Sequence, residues 1–425
     1  MEKIQAIRGT KDILPDEVIY WQFLEKTVFE IFTLASYQEI RTPIFEQTSL
    51  FERGIGEATD VVGKEMYTFT DRGDRTLTLR PEGTAGAVRA YIQNKLAGAG
   101  VQRLWYTGAM FRYERPQAGR QRQFHQIGLE LLGVKSARAD VEVIAIATDI
   151  LTALGLKNLS LQLNSVGSGG DRERYREALV DYLSPYQEDL DKDSQERLTR
   201  NPLRILDSKD KKTQEIAQNA PSILDYLSGE SQQHFAQVCQ LLTDLNISYE
   251  LNPRLVRGLD YYTDTAFEIQ SADLGAQATV CGGGRYDGLV SQLGGGDTPA
   301  IGWAMGMERL ILLLKELQPL HPSTPDIYFV SRGEKAENKA LVIAQQLRQQ
   351  GLKVELDLTG SNFAKQFKRG DRTGAKICLV LGDSEVENNT IQLKYLDTGK
   401  QETLNIDQLA NLAEAQHSAL RRMSG

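Results

Sequence analysis

The chain has 425 residues, enough for roughly two to four domains, and at that length it can bury a sizeable core without disulfides or structural metals. Its composition is that of a globular protein, 41% hydrophobic and 25% charged, and its net charge of -8 argues against wholesale coating of nucleic acid while leaving room for local basic patches. Three scattered cysteines (Cys239, Cys281, Cys378) and four scattered histidines (His125, His234, His321, His417) show no paired spacing, which argues against a disulfide framework and against zinc.

The first residues, Met1-Glu2-Lys3-Ile4-Gln5, lack a basic-then-apolar leader. The longest apolar runs, near 141–146 and 310–314, fall far short of a membrane span, so no membrane contact and a cytoplasmic location are expected. Residues 15 to 36 are predicted to form an amphipathic helix. Pro15 opens it, Asp16 and Glu17 suit its positive end, and Trp21, Leu24, Val28, Ile31 and Ala35 share a face. A strand at 39–42 stops at Pro43, and further strands are expected at 66–70, 76–79, 103–112 and 126–132. Their mixed order favours an antiparallel sheet over a doubly wound parallel one.

From Gly167 the character changes. Residues 171 to 245 have helical spacing and few strand-formers, as in a helical insertion. Strands resume at 248–251, continue from 263 to 280 and again at 300–305, and a helix is expected over 308–317. The proline-rich run from Gln318 to Pro325 marks a domain boundary. Beyond it, strands at 327–330, 353–358, 377–381, 391–395 and 402–406 and helices at 336–350, near 362–369 and from Asp407 onward predict a small α/β domain with one βαβ unit.

Several segments carry chemistry. Leu79-Arg80-Pro81-Glu82-Gly83-Thr84 puts a carboxylate and a hydroxyl on a turn before a helix, either as a capping pair or as ligand contacts. Phe111-Arg112-Tyr113-Glu114 leads into a loop with Arg115, Arg120 and Arg122, bent at Pro116 and Gly119. That loop is either a phosphate-seeking surface or a solvated hairpin tip. Arg112 beside Phe111 argues for a polyanionic ligand. Period-2 alternation puts Gln126, Gly128 and Glu130 on one strand face, with Gly128 leaving room for something small.

Arg257-Gly258-Leu259-Asp260-Tyr261-Tyr262-Thr263 combines fixed positive charge with two tyrosines and fits the lining of a polar pocket. Gly282-Gly283-Gly284 lacks the spacing of a dinucleotide fingerprint and is expected to be a tight turn that lets Arg285 and Tyr286 reach the same cavity. Gly302-Trp303-Ala304-Met305-Gly306-Met307-Glu308-Arg309 alternates small and large residues on a strand that enters a helix. Arg309 in that helix's first turn calls for an anionic partner, unless Glu308 supplies it. Lys365, Lys368, Arg369, Arg372 and Lys376 cluster around a single acid, Asp371, as a second basic patch or an ordinary solvated helix face.

Together these segments resemble the histidine–tRNA ligases (histidyl-tRNA synthetases) of the second aminoacyl-tRNA synthetase class, over essentially the whole chain. The helix before Tyr37 through Pro43 looks like the class's first motif, with Ser36 where the family usually has glycine. Residues 111–126 match the second motif and 302–309 the third, while 257–263 and 281–288 are the histidine-specific segments. The resemblance implies an α+β fold: an antiparallel six- to seven-stranded sheet flanked by helices in a catalytic domain 1–322, with a helical insertion at 170–247. A C-terminal α/β anticodon-binding domain, 326–425, with a mixed five-stranded sheet would follow.

It also implies residue roles. Arg112 and Arg257 would contact the α-phosphate of ATP, Arg309 the γ-phosphate, with Glu114 also at the nucleotide. Glu82, Thr84 and Gln126 would hold the histidine amino group, and Glu130 and Tyr262 the imidazole, with Tyr261 and Tyr286 shaping the pocket. Gln117 and Arg122 would meet the extra 5′ guanosine of the histidine tRNA, with Arg115 and Arg120 beside them and Lys365, Lys368 and Arg369 on the tRNA elsewhere. Implied partners are L-histidine, ATP with Mg²⁺, the histidine tRNA and a second copy of the chain, joined through the first-motif helix and strand. The competing expectations are a non-enzymatic regulatory subunit of ATP phosphoribosyltransferase and a same-class ligase for threonine, proline or glycine. The intact arginine set opposes the first and the Arg257–Tyr262 segment the second.

Overall fold

The computed structural model describes residues 3–56, 59–117 and 119–409, and the chain divides into two compact units between Leu320 and His321. In chain order the strands of the first unit are β1 (Gln38–Glu39), β2 (Phe45–Gln47), β3 (Tyr67–Thr70), β4 (Thr76–Leu79), β5 (Gln102–Phe111), β6 (Gln123–Leu132), β7 (Leu159–Ser165), β8 (Glu250–Leu251), β9 (Thr263–Ser271), β10 (Thr279–Arg285) and β11 (Ala300–Gly306). Eight of them form the main sheet in the order β1-β5-β6-β11-β10-β9-β7-β8. The six central strands are antiparallel, as the sequence implied. A two-residue strand pairs parallel at each edge, so the whole sheet is mixed and one or two strands wider than expected. β2, β4 and β3 make a separate antiparallel sheet.

Helices cover both faces of the main sheet. The helix Pro15–Leu34 buries Leu24, Val28 and Phe32 against Trp105, Ile127 and Leu129, in a core completed by helices Ala137–Ala153 and Met307–Leu317. Each fully buried side chain of this size contributes about 1.5–3 kcal/mol. At its end Ser36 has a φ of 61°, the left-handed conformation that glycine adopts freely and other residues only at a cost of roughly 1–2 kcal/mol. That is the physical reason a glycine would suit this position.

The opposite face packs on helix Thr84–Gln93 and on the helical stretch after Gly167. That stretch holds helices Gly169–Leu183, Lys192–Arg200, Lys211–Gln218 and Gly229–Asp244, joined by single 3₁₀ turns. The last of these helices differs from the rest. Phe235, Val238 and Leu242 belong to the main core, so this helix is part of the body of the unit.

The second unit has strands β12 (Ile327–Arg332), β13 (Val354–Leu356), β14 (Ile377–Gly382), β15 (Thr390–Tyr395) and β16 (Gln401–Asn405), ordered β13-β12-β14-β15-β16. β12 pairs parallel with both β13 and β14, which makes two helical crossovers where the sequence suggested one. A short helix, Asp383–Glu387, was not anticipated. The terminal helix expected from Asp407 onward lies outside the described residues, apart from a 3₁₀ turn at Ile406–Gln408.

Candidate active site

Strand register builds the floor of the site. Cross-strand pairing lines up Tyr106, Gly128, Ala304, Gly282 and Glu268 in one row across β5, β6, β11, β10 and β9. The neighbouring row is Leu104, Glu130, Gly302, Gly284 and Ala266. Side chains alternate across a sheet, so the small residues open one face while Trp303 and Met305 fill the core behind it. Above that face lies a cavity of about 300 Å³.

The three candidate phosphate arginines reach this cavity from distant parts of the chain. Arg112, the first residue past β5, donates from Nε to the Pro81 carbonyl at 2.8 Å and lies 5.4 Å from the Phe124 ring centroid. Arg257 is paired with Glu268, a residue missed from the sequence, and its buried Nε has no partner among the described residues. Burial opposes the charge of Arg257, but the Glu268 carboxylate together with Tyr262 and Cys281 more than offsets it, and the pKa is raised. Glu268 is also held by Thr279 Oγ1 at 2.8 Å and Gln270 Nε2 at 3.2 Å. The signal that could have found it is its place between Phe267 and Ile269, on the polar side of β9.

Arg309 donates to the Thr279 carbonyl, and burial, followed by the Arg120 charge, lowers its pKa. Glu308 is not its counter-ion. Glu308 instead accepts from the His125 backbone at 2.9 Å and meets His125 Nδ1 at 2.9 Å.

The same cavity is lined by Glu82, Thr84, Gln126, Tyr261, Tyr262 and Tyr286, with the Tyr262 ring centroid 5.9 Å from the Arg257 guanidinium. Glu82 accepts from the backbone of Thr84 at 2.6 Å and Ala85 at 2.9 Å, so it caps the Thr84–Gln93 helix and faces the cavity at once. Burial raises its pKa. Gln126 presents a buried Oε1 with no partner among the described residues, a costly arrangement unless a donor arrives from outside. The tyrosine rings pack together, with Tyr261 and Tyr262 centroids 4.7 Å apart and Tyr261 and Tyr286 edge-on at 5.6 Å.

Four expectations need correction. Glu130 does not line the cavity. It is fully buried one layer behind, accepting from the Tyr106 hydroxyl at 3.1 Å and from the Tyr286 hydroxyl, and burial pushes its pKa to about 8. The space left by Gly128 is not empty, because a Cβ there would sit 2.1 Å from the Tyr106 ring. Gly282–Gly284 is not a turn but the middle of β10, where a Cβ on Gly282 would strike the Arg257 guanidinium at 2.3 Å. Arg285 consequently points away from the cavity into a buried network with Asp140, Asp287 and the Val134 carbonyl, while Tyr286 does reach the wall.

The basic patches also differ from expectation. Glu114 lines the cavity and bridges Arg120 at 3.1 Å, so one loop arginine is paired with an acid within the protein. Arg122 lies outside the cavity, 3.9 Å from the Tyr113 ring centroid, and donates to the Glu114 carbonyl at 3.3 Å. Arg115 and Gln117 are exposed on the same loop. In the second unit Lys365 and Lys368 are exposed, but Arg369 is bound at 2.6 Å to Asp357, a buried acid from outside the basic segment. Its guanidinium also reaches Thr359 Oγ1 and Ser361 Oγ.

The family model described as Histidyl-tRNA synthetase matches residues 9–310, and one described as Anticodon binding domain matches residues 326–416. The chain belongs to the histidyl-tRNA synthetase family. It is 71% identical to the histidine–tRNA ligase of Rippkaea orientalis over 412 residues, covering 97% of this chain and 96% of that one. It is 70% identical to the same-named protein of Gloeothece citriformis over 420 residues, covering 98% of each. Its structure is similar to the crystal structure of apo S. aureus histidyl-tRNA synthetase, with a TM-score of 0.80 and 41% identity over 96% of this chain and 99% of that one.

Proposed function

We propose that the chain activates L-histidine with ATP and transfers it to the 3′ end of a tRNA, releasing pyrophosphate and then AMP. The observation that carries the chemistry is the convergence of Arg112, Arg257 and Arg309 on one cavity that also holds the unpartnered Gln126 oxygen. In the first step the histidine carboxylate oxygen bonds to the α-phosphorus of ATP, and the bond to pyrophosphate breaks. Negative charge builds on phosphoryl oxygens, so fixed guanidinium groups and positioning do the catalytic task. Arg112 and Arg257 serve the α-phosphate and Arg309 the γ-phosphate. In the second step a terminal ribose hydroxyl of the tRNA attacks the adenylate carbonyl, and AMP leaves.

The reaction asks for no protein nucleophile. Cys281, on the cavity wall, is kept protonated by burial, which raises its pKa well above that of a free thiol. Magnesium enters as part of the nucleotide substrate. Glu114, Glu268 and Glu308 on the wall are already engaged by Arg120, Arg257 and His125. Gln126, Glu82 and Thr84 suit an ammonium group, and the tyrosine wall backed by Glu130 suits an imidazole. Such a pocket leaves buried polar groups unpaired with an apolar competitor, which gives discrimination of about 10⁴ without editing. A role in sensing histidine without activating it has less support, because the whole arginine set is present on the cavity.

The second unit, with Lys365 and Lys368 exposed on its basic helix, is proposed to meet the tRNA anticodon. The exposed loop residues Arg115 and Gln117 are proposed to meet its 5′ end. Two copies are proposed to join through the Pro15–Leu34 helix and the β1 edge, where Phe29 and Leu34 are exposed and β1 pairs on one side only among the described residues. Histidine-dependent exchange of pyrophosphate into ATP, run beside other amino acids, tests the central reading. Absence of exchange with histidine in a folded preparation would sink it.

A further inference from the structure

One side chain behind the cavity touches both ends of the proposed histidine pocket. Tyr106 stands on β5 and is 3% exposed. Its ring occupies space that two glycines leave open. A Cβ on Gly128 would lie 2.1 Å from the ring, and so would a Cβ on Gly83. Gly83 sits between Glu82 and Thr84, so the ring is wedged under the turn that carries both. The Tyr106 hydroxyl donates to Glu130 Oε1 at 3.1 Å, while Tyr286 donates to Oε2. Glu130 in turn fixes Gly302, where a Cβ would come within 1.9 Å of Oε2. Removing any of these contacts leaves either a void or an unpaired buried oxygen, so the arrangement is rigid.

We propose that Tyr106 is a positioning residue for histidine, setting the Glu82–Thr84 turn with its ring and the Glu130 carboxyl with its hydroxyl. This rests on the reading of the cavity as a histidine site. The two ends of the amino acid are then held at a fixed separation by a single rigid ring, which never touches the substrate. The groups facing Glu130 are the hydroxyls of Tyr106, Tyr286 and Thr84 and the carboxylate of Glu82, with Tyr261 and Tyr262 further off. The Tyr106 hydroxyl stabilises the ionised form of Glu130. Its loss therefore moves the ionisation of Glu130 to higher pH.

The test is Tyr106→Phe, which keeps the ring and deletes only the hydroxyl. The KM for histidine in pyrophosphate exchange should rise about tenfold, the scale of one hydrogen bond to a charged group, while the KM for ATP stays put. The pH at which the histidine KM improves should move upward. In a Glu130→Gln background the same change should cost much less, because its target is gone. An unchanged histidine KM would overturn the proposal. So would equal losses for histidine and ATP, or full additivity with Glu130→Gln, since any of these makes Tyr106 plain core filling. Gln126→Ala separates this from the parent reading. If it leaves histidine affinity intact, the cavity is not the histidine site and both fall; if it weakens histidine while Tyr106→Phe does not, only the Tyr106 proposal falls.

Discussion

Replacing Arg257 with alanine separates binding from chemistry. The guanidinium pairs with Glu268, and its Nε has no partner among the described residues, so part of its donor capacity is open to a ligand. After Arg257→Ala the Glu268 carboxylate keeps the Thr279 and Gln270 donors at 2.8 and 3.2 Å. Its side chain also retains 16% exposure. The loss of stability should therefore be about 1–3 kcal/mol, below the cost of stripping a fully buried ion pair of its partner. The loss in adenylate formation should be far larger, about 10²–10³ or more, the usual scale for removing one preorganised group from a charge-stabilising site. Histidine affinity should fall far less than the chemical step, through the Tyr262 ring that lies 5.9 Å from the Arg257 guanidinium. Pyrophosphate exchange, histidine titration and thermal melting on the same preparation check all three. Exchange at the unaltered rate would refute the argument, and so would a collapse of histidine binding in a folded variant.

The other expectations are narrower. Gly282→Ala puts a methyl group within 2.6 Å of three guanidinium atoms of Arg257, so exchange should fall about tenfold or more with the fold intact by circular dichroism; unchanged kinetics would show that Arg257 is free to move aside. Glu130 titrates near pH 8 in the fold and near the ordinary carboxylate value when unfolded, so the native state holds the extra proton between those limits. Stability should fall as pH rises from about 5 to 8, with Glu82 acting in the same direction, and Glu130→Gln should flatten the melting-temperature profile. In the second unit, Arg369→Ala takes the cation from the buried Asp357 carboxylate, which keeps its Tyr328 and Thr359 donors, and should cost about 1–3 kcal/mol. Lys368→Ala should leave stability unchanged, weaken tRNA charging and reduce its salt dependence by about one unit of slope. Phe29→Asp should leave a monomer in sedimentation; an unchanged dimer would move the interface elsewhere.

Much of the plan was legible from the chain. Local rules marked the first helix, since Pro15, the acids after it and the apolar spacing all agree, and they marked the β5–loop–β6 hairpin and the proline-rich boundary. The resemblance then named the arginines and the pocket residues. What local reading mistook was the glycine run. A string of glycines has the same signature in a turn and in a strand crowded by neighbours, and only the Arg257 side chain and the β11 backbone lying against it distinguish the two.

The amino-acid sequence alone determined which groups are available: three arginines in separate motifs, a carboxylate and hydroxyl on one turn, and polar residues alternating along β6. Those are properties of residue type and spacing, and they survive any arrangement of the elements. Tertiary structure alone decided partnership. It assigned Glu268 to Arg257, Asp357 to Arg369 and Asp140 to Arg285, set Glu130 behind the wall rather than on it, and filled the Gly128 space with Tyr106. Each of these contacts joins residues from separate segments of the chain. Register and packing between elements fix such distances, and no pattern within either segment encodes them.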